Sequence, residues 1–249
     1  MENKNKRLIL DFYPRVFGSY DFDFADSVIS DDYIQHNPIV KTGKAGFMEF
    51  LTFLEKLPKP ESPKKPFVRL ICDGDFVAVH LQVEFMGKEN AVLDLYRLEN
   101  GKLAEHWDAV REIVGEGKNG NPVVIGPTVQ TQEGNTEDNK ATVSTLHKEL
   151  ATNNFESAYA FLAPDLIQHD PDIANGVDSF INYFRKCQRL ATHRVIGEGD
   201  FVVTQSSAVL KGKPHVIYGI YRLSEGKIAE YWSVKQAVPE QMAHSNGMI

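Results

Sequence analysis

The sequence predicts an α+β chain built from two copies of one domain, each with helices first and antiparallel strands after. Three observations carry that prediction. The phrase IQHNP at 34–38 returns as IQHDP at 167–171. RLICDGDFV at 69–77 returns as RVIGEGDFV at 194–202, and DLYRLENGKLAEHWDAV at 94–110 returns as GIYRLSEGKIAEYWSVK at 219–235. In each copy helix-like stretches come first and alternating, strand-like stretches follow, an order unlike that of a parallel doubly wound sheet.

The elements follow in order. Residues 5–16 predict the first helix. A second helical stretch runs to the turn at His36-Asn37-Pro38, where proline fixes φ and withholds a donor. A third helix covers 45–57, and the second copy repeats these elements at 140–151 and 177–189. In FVAVHLQVEF the residues Val77, Val79, Leu81, Val83 and Phe85 share one strand face, opposite Ala78, His80, Gln82 and Glu84. LDLYRLENGKLAEHW reads as a hairpin turning at Glu99, Asn100 and Gly101. PKPESPKKP at 58–66 absorbs a length difference between the copies, as a loop can. Residues 114–139, rich in Gly, Asn, Thr and Pro, read as a linker between domains at 1–113 and 140–240.

Composition narrows the function classes. The chain has 249 residues, 42% hydrophobic and 24% charged, which is ordinary for a soluble globular protein. A net charge of -7 argues against broad, charge-driven binding to nucleic acid or to an anionic membrane. Cys72 and Cys187 fall in different copies with no metal-like spacing, so a reducing compartment is expected. The opening MENKNKRLILDFYPRVF lacks an apolar signal-peptide core, and no apolar run could span a bilayer. A cytoplasmic location is therefore expected. Neither GxGxxG nor GxxxxGK(S/T) appears in a strand–helix context, and no serine lies in a nucleophile-elbow context.

Strand parity groups the candidate site residues. Val92, Asp94, Tyr96 and Leu98 point one way on their strand, and His106, Asp108 and Val110 point together on the next. A carboxylate among apolar neighbours is desolvated, and its raised pKa makes it a usable base. His36, His80, Asp94, His106 and Asp108 form a candidate cluster if their faces converge, with Tyr96 and Gln82 as lining residues. The second copy has Gln205, Gly219, Tyr231 and Ser233 where the first has His80, Asp94, His106 and Asp108, and keeps only His169 and Trp232. The copies thus share a fold without sharing chemistry. His169, His215 and Tyr221 are candidates for a different small-molecule site in the second copy, though scattered surface polar residues explain them as well.

Structural readings stand beside these. Asp108 could pair with Arg111, Asp94 with Arg97, and His36 could serve its own turn, since the second copy retains this His. Trp107 and Trp232, on the parity opposite to Asp108, read as core or interface packing. Three His and two Asp could hold a metal, but the spacing lacks HxH or HxxxH compactness, and the expectation is that no metal is bound.

IQHNP with its following Gly and Phe, then DLYRLENGKLAEHWD, resembles the SnoaL-like polyketide cyclase family of the NTF2-like superfamily. The resemblance covers most of the first copy, and NGNPVVIGPT resembles the tail that follows such domains; the second copy keeps the frame but lacks EHWD. It implies tandem cone-shaped α+β barrels, each a curved antiparallel sheet around helices, packed as an internal pseudo-dimer open to further self-association. It implies cofactor-independent aldol cyclisation, isomerisation or dehydration of a small carbonyl compound. Asp108 would be the general base, with His80 and Asp94 assisting and His36, His106, Tyr96 and Gln82 around the substrate. Two other readings remain: a non-catalytic binder of an apolar small molecule, and a structural pseudo-dimer.

Overall fold

A computed structural model describes residues 3–58, 67–85, 87–129 and 135–249. The loop expected at 58–66 therefore lies outside the described residues, apart from Pro58. The first repeat runs α1 (Lys4–Phe12), a π-helical turn (Tyr13–Gly18), α2 (Phe22–Val28), β1 (Ile29–Gln35), α3 (Gly43–Glu55), β2 (Phe67–Asp73), β3 (Phe76–Phe85), β4 (Lys88–Glu99) and β5 (Lys102–Glu112). The second runs α4 (Thr136–Ala151), α5 (Phe155–Ala158), β6 (Leu162–Gln168), α6 (Val177–Phe184), β7 (Gln188–Glu198), β8 (Phe201–Leu210), β9 (Lys213–Ser224) and β10 (Lys227–Ala237). Among the described residues no helix is long and apolar enough to cross a membrane.

Two five-stranded sheets result, ordered β1-β5-β4-β3-β2 and β6-β10-β9-β8-β7. They are mixed, not purely antiparallel as expected, because β1 runs parallel to β5 and β6 to β10. The second helix expected in each copy is present as α2 and the short α5, but it does not run to the HNP or HDP turn, because β1 and β6 intervene. An irregularity between Ile29 and Ile34 breaks the period-two pattern that would have exposed β1. The helix expected at 177–189 ends at Phe184, since the chain must re-enter the sheet at Gln188. The hairpin expected at Glu99–Gly101 is present: Asn100 (φ 51°) and Gly101 (φ 76°) take the left-handed conformations a tight two-residue turn requires.

Local chemistry shapes the entry into the first repeat. The Asn3 side chain accepts from the Asn5 and Lys6 amides and caps α1, which buries Ile9 and Phe12. Pro14 lacks an amide proton, and the helix continues past it in the wider π form, which often marks functional sites. That turn buries Tyr13 and Val16.

Three cores follow from strand parity. Each repeat packs its helices on one face of its own sheet. The other faces pack against each other, joining Ile71, Leu93 and Trp107 to Val203, Ile220 and Trp232. Arg69 of the first repeat lies 4.1 Å above Trp232, and Arg194 of the second lies 4.1 Å above Trp107. The far sides of both indoles stack on histidines: His36 on Trp107 at 4.8 Å, and His169 on Trp232 at 4.2 Å. The segments after β5 and β10 cross over, each lying against the other repeat: Lys118 N donates to Pro171 O, and Ala243 N to Pro38 O. Gly126 lets the first of these arms pass, because a Cβ there would come within 2.8 Å of the Trp232 ring.

Candidate active site

The site is built where β1, β4 and β5 meet the π-helical turn. Pairing sets Asp94 directly opposite Asp108, Tyr96 opposite His106, and Gln35 beside His106. Two carboxylates facing each other across a sheet repel unless something compensates. Asp94 has that compensation. The Tyr13 hydroxyl donates to its Oδ2, and His106 Nε2 lies 3.2 Å from its Oδ1.

The protonation of His106 can be read from its partners. Gln35 Oε1 accepts the amides of His36 and Asn37, so it is the oxygen, and His106 Nδ1, 2.9 Å away, must donate to it. Nε2 faces Asp94 Oδ1, so the two groups share a proton across that contact. Burial alone would lower the His106 pKa, but the hydrogen bond to Asp94 and the charges of Asp94 and Asp108 outweigh it and raise it.

Asp108 is treated differently. Its Oδ2 accepts from Asn37 Nδ2 at 2.6 Å, while Oδ1 has no partner among the described residues and essentially no solvent contact. Burial, opposed by His106 and reinforced by Asp94, pushes its carboxyl up to about 6. The residue is 4% exposed, against 7% for Asp94 and 8% for His106. A ligand reaches Oδ1 only by moving the side chains around it. Tyr13, Tyr33 and Tyr96 stay neutral, because burial and then the charge of Asp94 hold each hydroxyl well above its ordinary value. Tyr33 accepts a long bond from Gln35 Nε2 (3.4 Å) and feels the charges of both Asp94 and Asp108.

The expected cluster therefore assembles in part. Asp94, His106, Asp108 and Tyr96 converge, with the Tyr96 ring stacked on His106 at 4.6 Å. His80 and Gln82 do not. Val79, not His80, pairs with Asp94 in the β3–β4 register, so even-numbered β3 residues face away. His80 lies in the layer between the sheets against Arg69 (3.0 Å), and Gln82 binds Glu89. His36 faces that layer too, bonded to Glu105 Oε1 (2.9 Å) and stacked on Trp107. The simple ion pairs also differ: Arg97 meets Glu105 and Glu99, and Arg111 reaches Asp170 and Asp172.

In the second repeat His169 mirrors His36, bonded to Glu230 and stacked on Trp232, so it does not line a pocket. His215 is half-buried, and its Nδ1 lies 2.8 Å from Lys213 O. Tyr221 does face inward and meets His147 Nε2 at 2.7 Å. Gly219 replaces Asp94 because Tyr221 fills the space: a Cβ there would lie 2.8 Å from its hydroxyl. Acid and donor have also exchanged places. Where the first repeat has Asn37 donating to Asp108, the second has Ser233 donating to Asp170 at 2.5 Å. Asp170 is further paired with Lys235 and Arg111; despite burial, these cations hold its carboxyl below the usual range.

Asp94, His106 and Asp108 present ligand atoms within 4.8 Å of one another and could hold a metal ion. Such an ion would have to displace the proton between His106 and Asp94, which already satisfies both groups. Two surface hollows, about 400 and 330 Å³, lie in the second repeat beside Asp200 and Arg222 and beside His147 and Thr192. Neither touches the acid pair, whose chemistry and burial mark the functional candidate.

Residues 9–106 match the model of the SnoaL-like domain family. The chain is similar to an NTF2-like protein of unknown function from Cytophaga hutchinsonii at 20% identity, over 45% of this chain and 95% of that one, with a TM-score of 0.36. It is similar to a steroid delta-isomerase from Pseudomonas aeruginosa at 20% identity, over 43% and 83%, with a TM-score of 0.35. It is similar to an LEH-like epoxide hydrolase from M. tuberculosis at 16% identity, over 41% and 84%, with a TM-score of 0.35. No curated protein matches the chain.

Proposed function

We propose that the first repeat, whose residues 9–106 match the SnoaL-like domain model, abstracts a proton from carbon next to a carbonyl group. The observation that carries this reading is Asp108: a buried carboxylate with one oxygen unpartnered and a pKa raised to about 6. Near neutral pH such a group is ionised yet basic enough to take a proton from an activated carbon. Asn37 holds one oxygen and leaves the other for the substrate. The Tyr33 hydroxyl accepts from Gln35 and keeps its own proton to give. It is our assignment for the donor to the developing enolate oxygen. The Asp94–His106 pair supplies a fixed wall, and Tyr96 stacks on His106 beside it.

Aldol cyclisation, isomerisation and dehydration all begin with this step, so the substrate class is a small carbonyl compound. The sealed position of Asp108 Oδ1 favours one alternative, a binder that encloses an apolar molecule without changing it. The buried free cysteines Cys72 and Cys187 suit a reducing, cytoplasmic setting.

The test is solvent deuterium incorporation into 1,3-dicarbonyl and cyclic enone compounds, followed by NMR across pH. Catalysed exchange is expected to rise as pH passes through about 6, where Asp108 ionises. Bound but unexchanged ligands across the panel would transfer the assignment to the binder. Tyr33→Phe is expected to lower the turnover rate by roughly 10²-fold and to leave the acid-side midpoint in place. A wild-type rate in that variant would remove Tyr33 from the enolate.

A further inference from the structure

Residues 35–38 are gripped from two sides. On the inner side Gln35 takes the His106 Nδ1 proton and Asn37 donates to Asp108. On the outer side the segment after β10 contacts all four residues. Asn246 Nδ2 donates to Gln35 O and to Thr42 Oγ1, both at 3.0 Å. Gly247 O meets His36 Nδ1 at 2.8 Å, His244 Nε2 meets Asn37 O at 2.8 Å, and Ala243 N donates to Pro38 O at 2.8 Å. The Asn246 amide donates to His244 Nδ1, so the His244 proton sits on Nε2 and points at the Asn37 carbonyl.

We propose that this arm, supplied by the second repeat, is a positioning element for the first repeat's site, with His244 setting Asn37 and through it the Asp108 carboxylate. The inference rests on the reading of Asp108 as the base. It gives the second repeat a purpose beyond covering an apolar face: the catalytic loop is incomplete without the partner repeat's arm.

The molecule contains its own control. The segment after β5 grips 168–171 through corresponding bonds: Asn121 Nδ2 to Gln168 O (2.7 Å), His169 Nδ1 to Pro122 O (2.7 Å), Asn119 Nδ2 to Asp170 O (2.7 Å) and Lys118 N to Pro171 O (2.9 Å). There the grip leads to no comparable pair, since both polar atoms of the Gln168 side chain lack partners among the described residues and Asp170 is held by Ser233 and cations. Bracing the loop is common to both repeats. Passing that geometry to an unpartnered carboxylate occurs in the first.

The groups facing Asp108 are Asn37, Asp94 from β4 and His106 from its own strand, while Tyr33 from β1 and, across the sheet, Tyr218 from β9 feel its charge. Loosening Asn37 withdraws a donor that favours the charged form, so the Asp108 midpoint should rise. The experiment uses the full chain with ¹³C-labelled aspartate carboxyls, titrated by NMR, alongside the exchange assay. In His244→Ala the Asp108 midpoint is expected to move upward and exchange to fall about tenfold. His244→Phe, which keeps a ring and loses only the donor, should do the same. His244→Gln restores a donor and should return both readings. Asn119→Ala, at the matching place in the other arm, should lower thermal stability and leave the Asp108 midpoint where it was. An unmoved midpoint in folded His244→Phe, or an equal movement in Asn119→Ala, would overturn the positioning role. A moved midpoint with no exchange in the wild type would retain the arm and remove the base.

Discussion

Asp108→Asn should lower catalysed exchange by roughly 10²–10⁴-fold while the protein stays folded. The substitution keeps the shape and an oxygen for Asn37, and takes away the charge and the basic lone pair. It should also stabilise the protein, in one pH range only. An unfolded aspartate titrates near 3.9, whereas buried Asp108 titrates at about 6. The folded state therefore binds this proton more tightly than the unfolded chain, and raising the pH between the two values costs stability. Above about pH 6 the cost is constant, and toward pH 4 it vanishes. The expected result is a variant that melts higher than wild type at pH 7 and equally at pH 4, measured by thermal unfolding. Full exchange activity in Asp108→Asn would end the assignment, and a variant that melts lower at pH 7 would show that the carboxylate stabilises the fold. A catalytic group held at a cost to stability is the usual signature of a site kept for function.

The second large effect concerns the layer between the sheets. Residues 1–129 expressed alone should pair with a second copy of themselves or precipitate. Ile71, Ala78, Leu93, Leu95, Trp107 and Ala109 are fully buried in a layer whose other half is the second repeat. Exposing each large side chain costs about 1.5–3 kcal/mol, more in sum than a domain of this size can lose. Self-pairing is chemically reasonable, since Arg69 could lie over the other copy's Trp107 as it now lies over Trp232. In the intact chain the same layer is tested by Trp232→Ala, which should cost about 3–5 kcal/mol in denaturant unfolding. A monodisperse monomer of residues 1–129 by light scattering would show that the second repeat is not needed to cover this face.

Parity within single strands was legible in the sequence and held up: Asp94 shares a face with Tyr96, and His106 with Asp108. Parity across strands was not, because it depends on register. The sequence groups His80 with Asp94, yet Val79 is the residue that pairs with Asp94, so His80 falls on the other face. Asn37 was visible in the motif, but its role was hidden by the more conspicuous His36 beside it. The signal was present as a double exchange: Asn37 and Asp108 in one copy stand where Asp170 and Ser233 stand in the other. Tyr13 and Tyr33 reach the cluster from a helical turn and from an irregular strand, and nothing periodic in the chain announces either.

By itself the sequence determined the duplication, the α+β order, the hairpins and the loss of acids from the second copy. These are written in local spacing and in residue identity, which survive without coordinates. Only the tertiary structure decided which face each strand turns to the helices, which oxygen of Asp108 goes unpartnered, and how each repeat's arm braces the other's loop. Those depend on register, on burial and on contacts between segments about two hundred residues apart, and no local pattern encodes them.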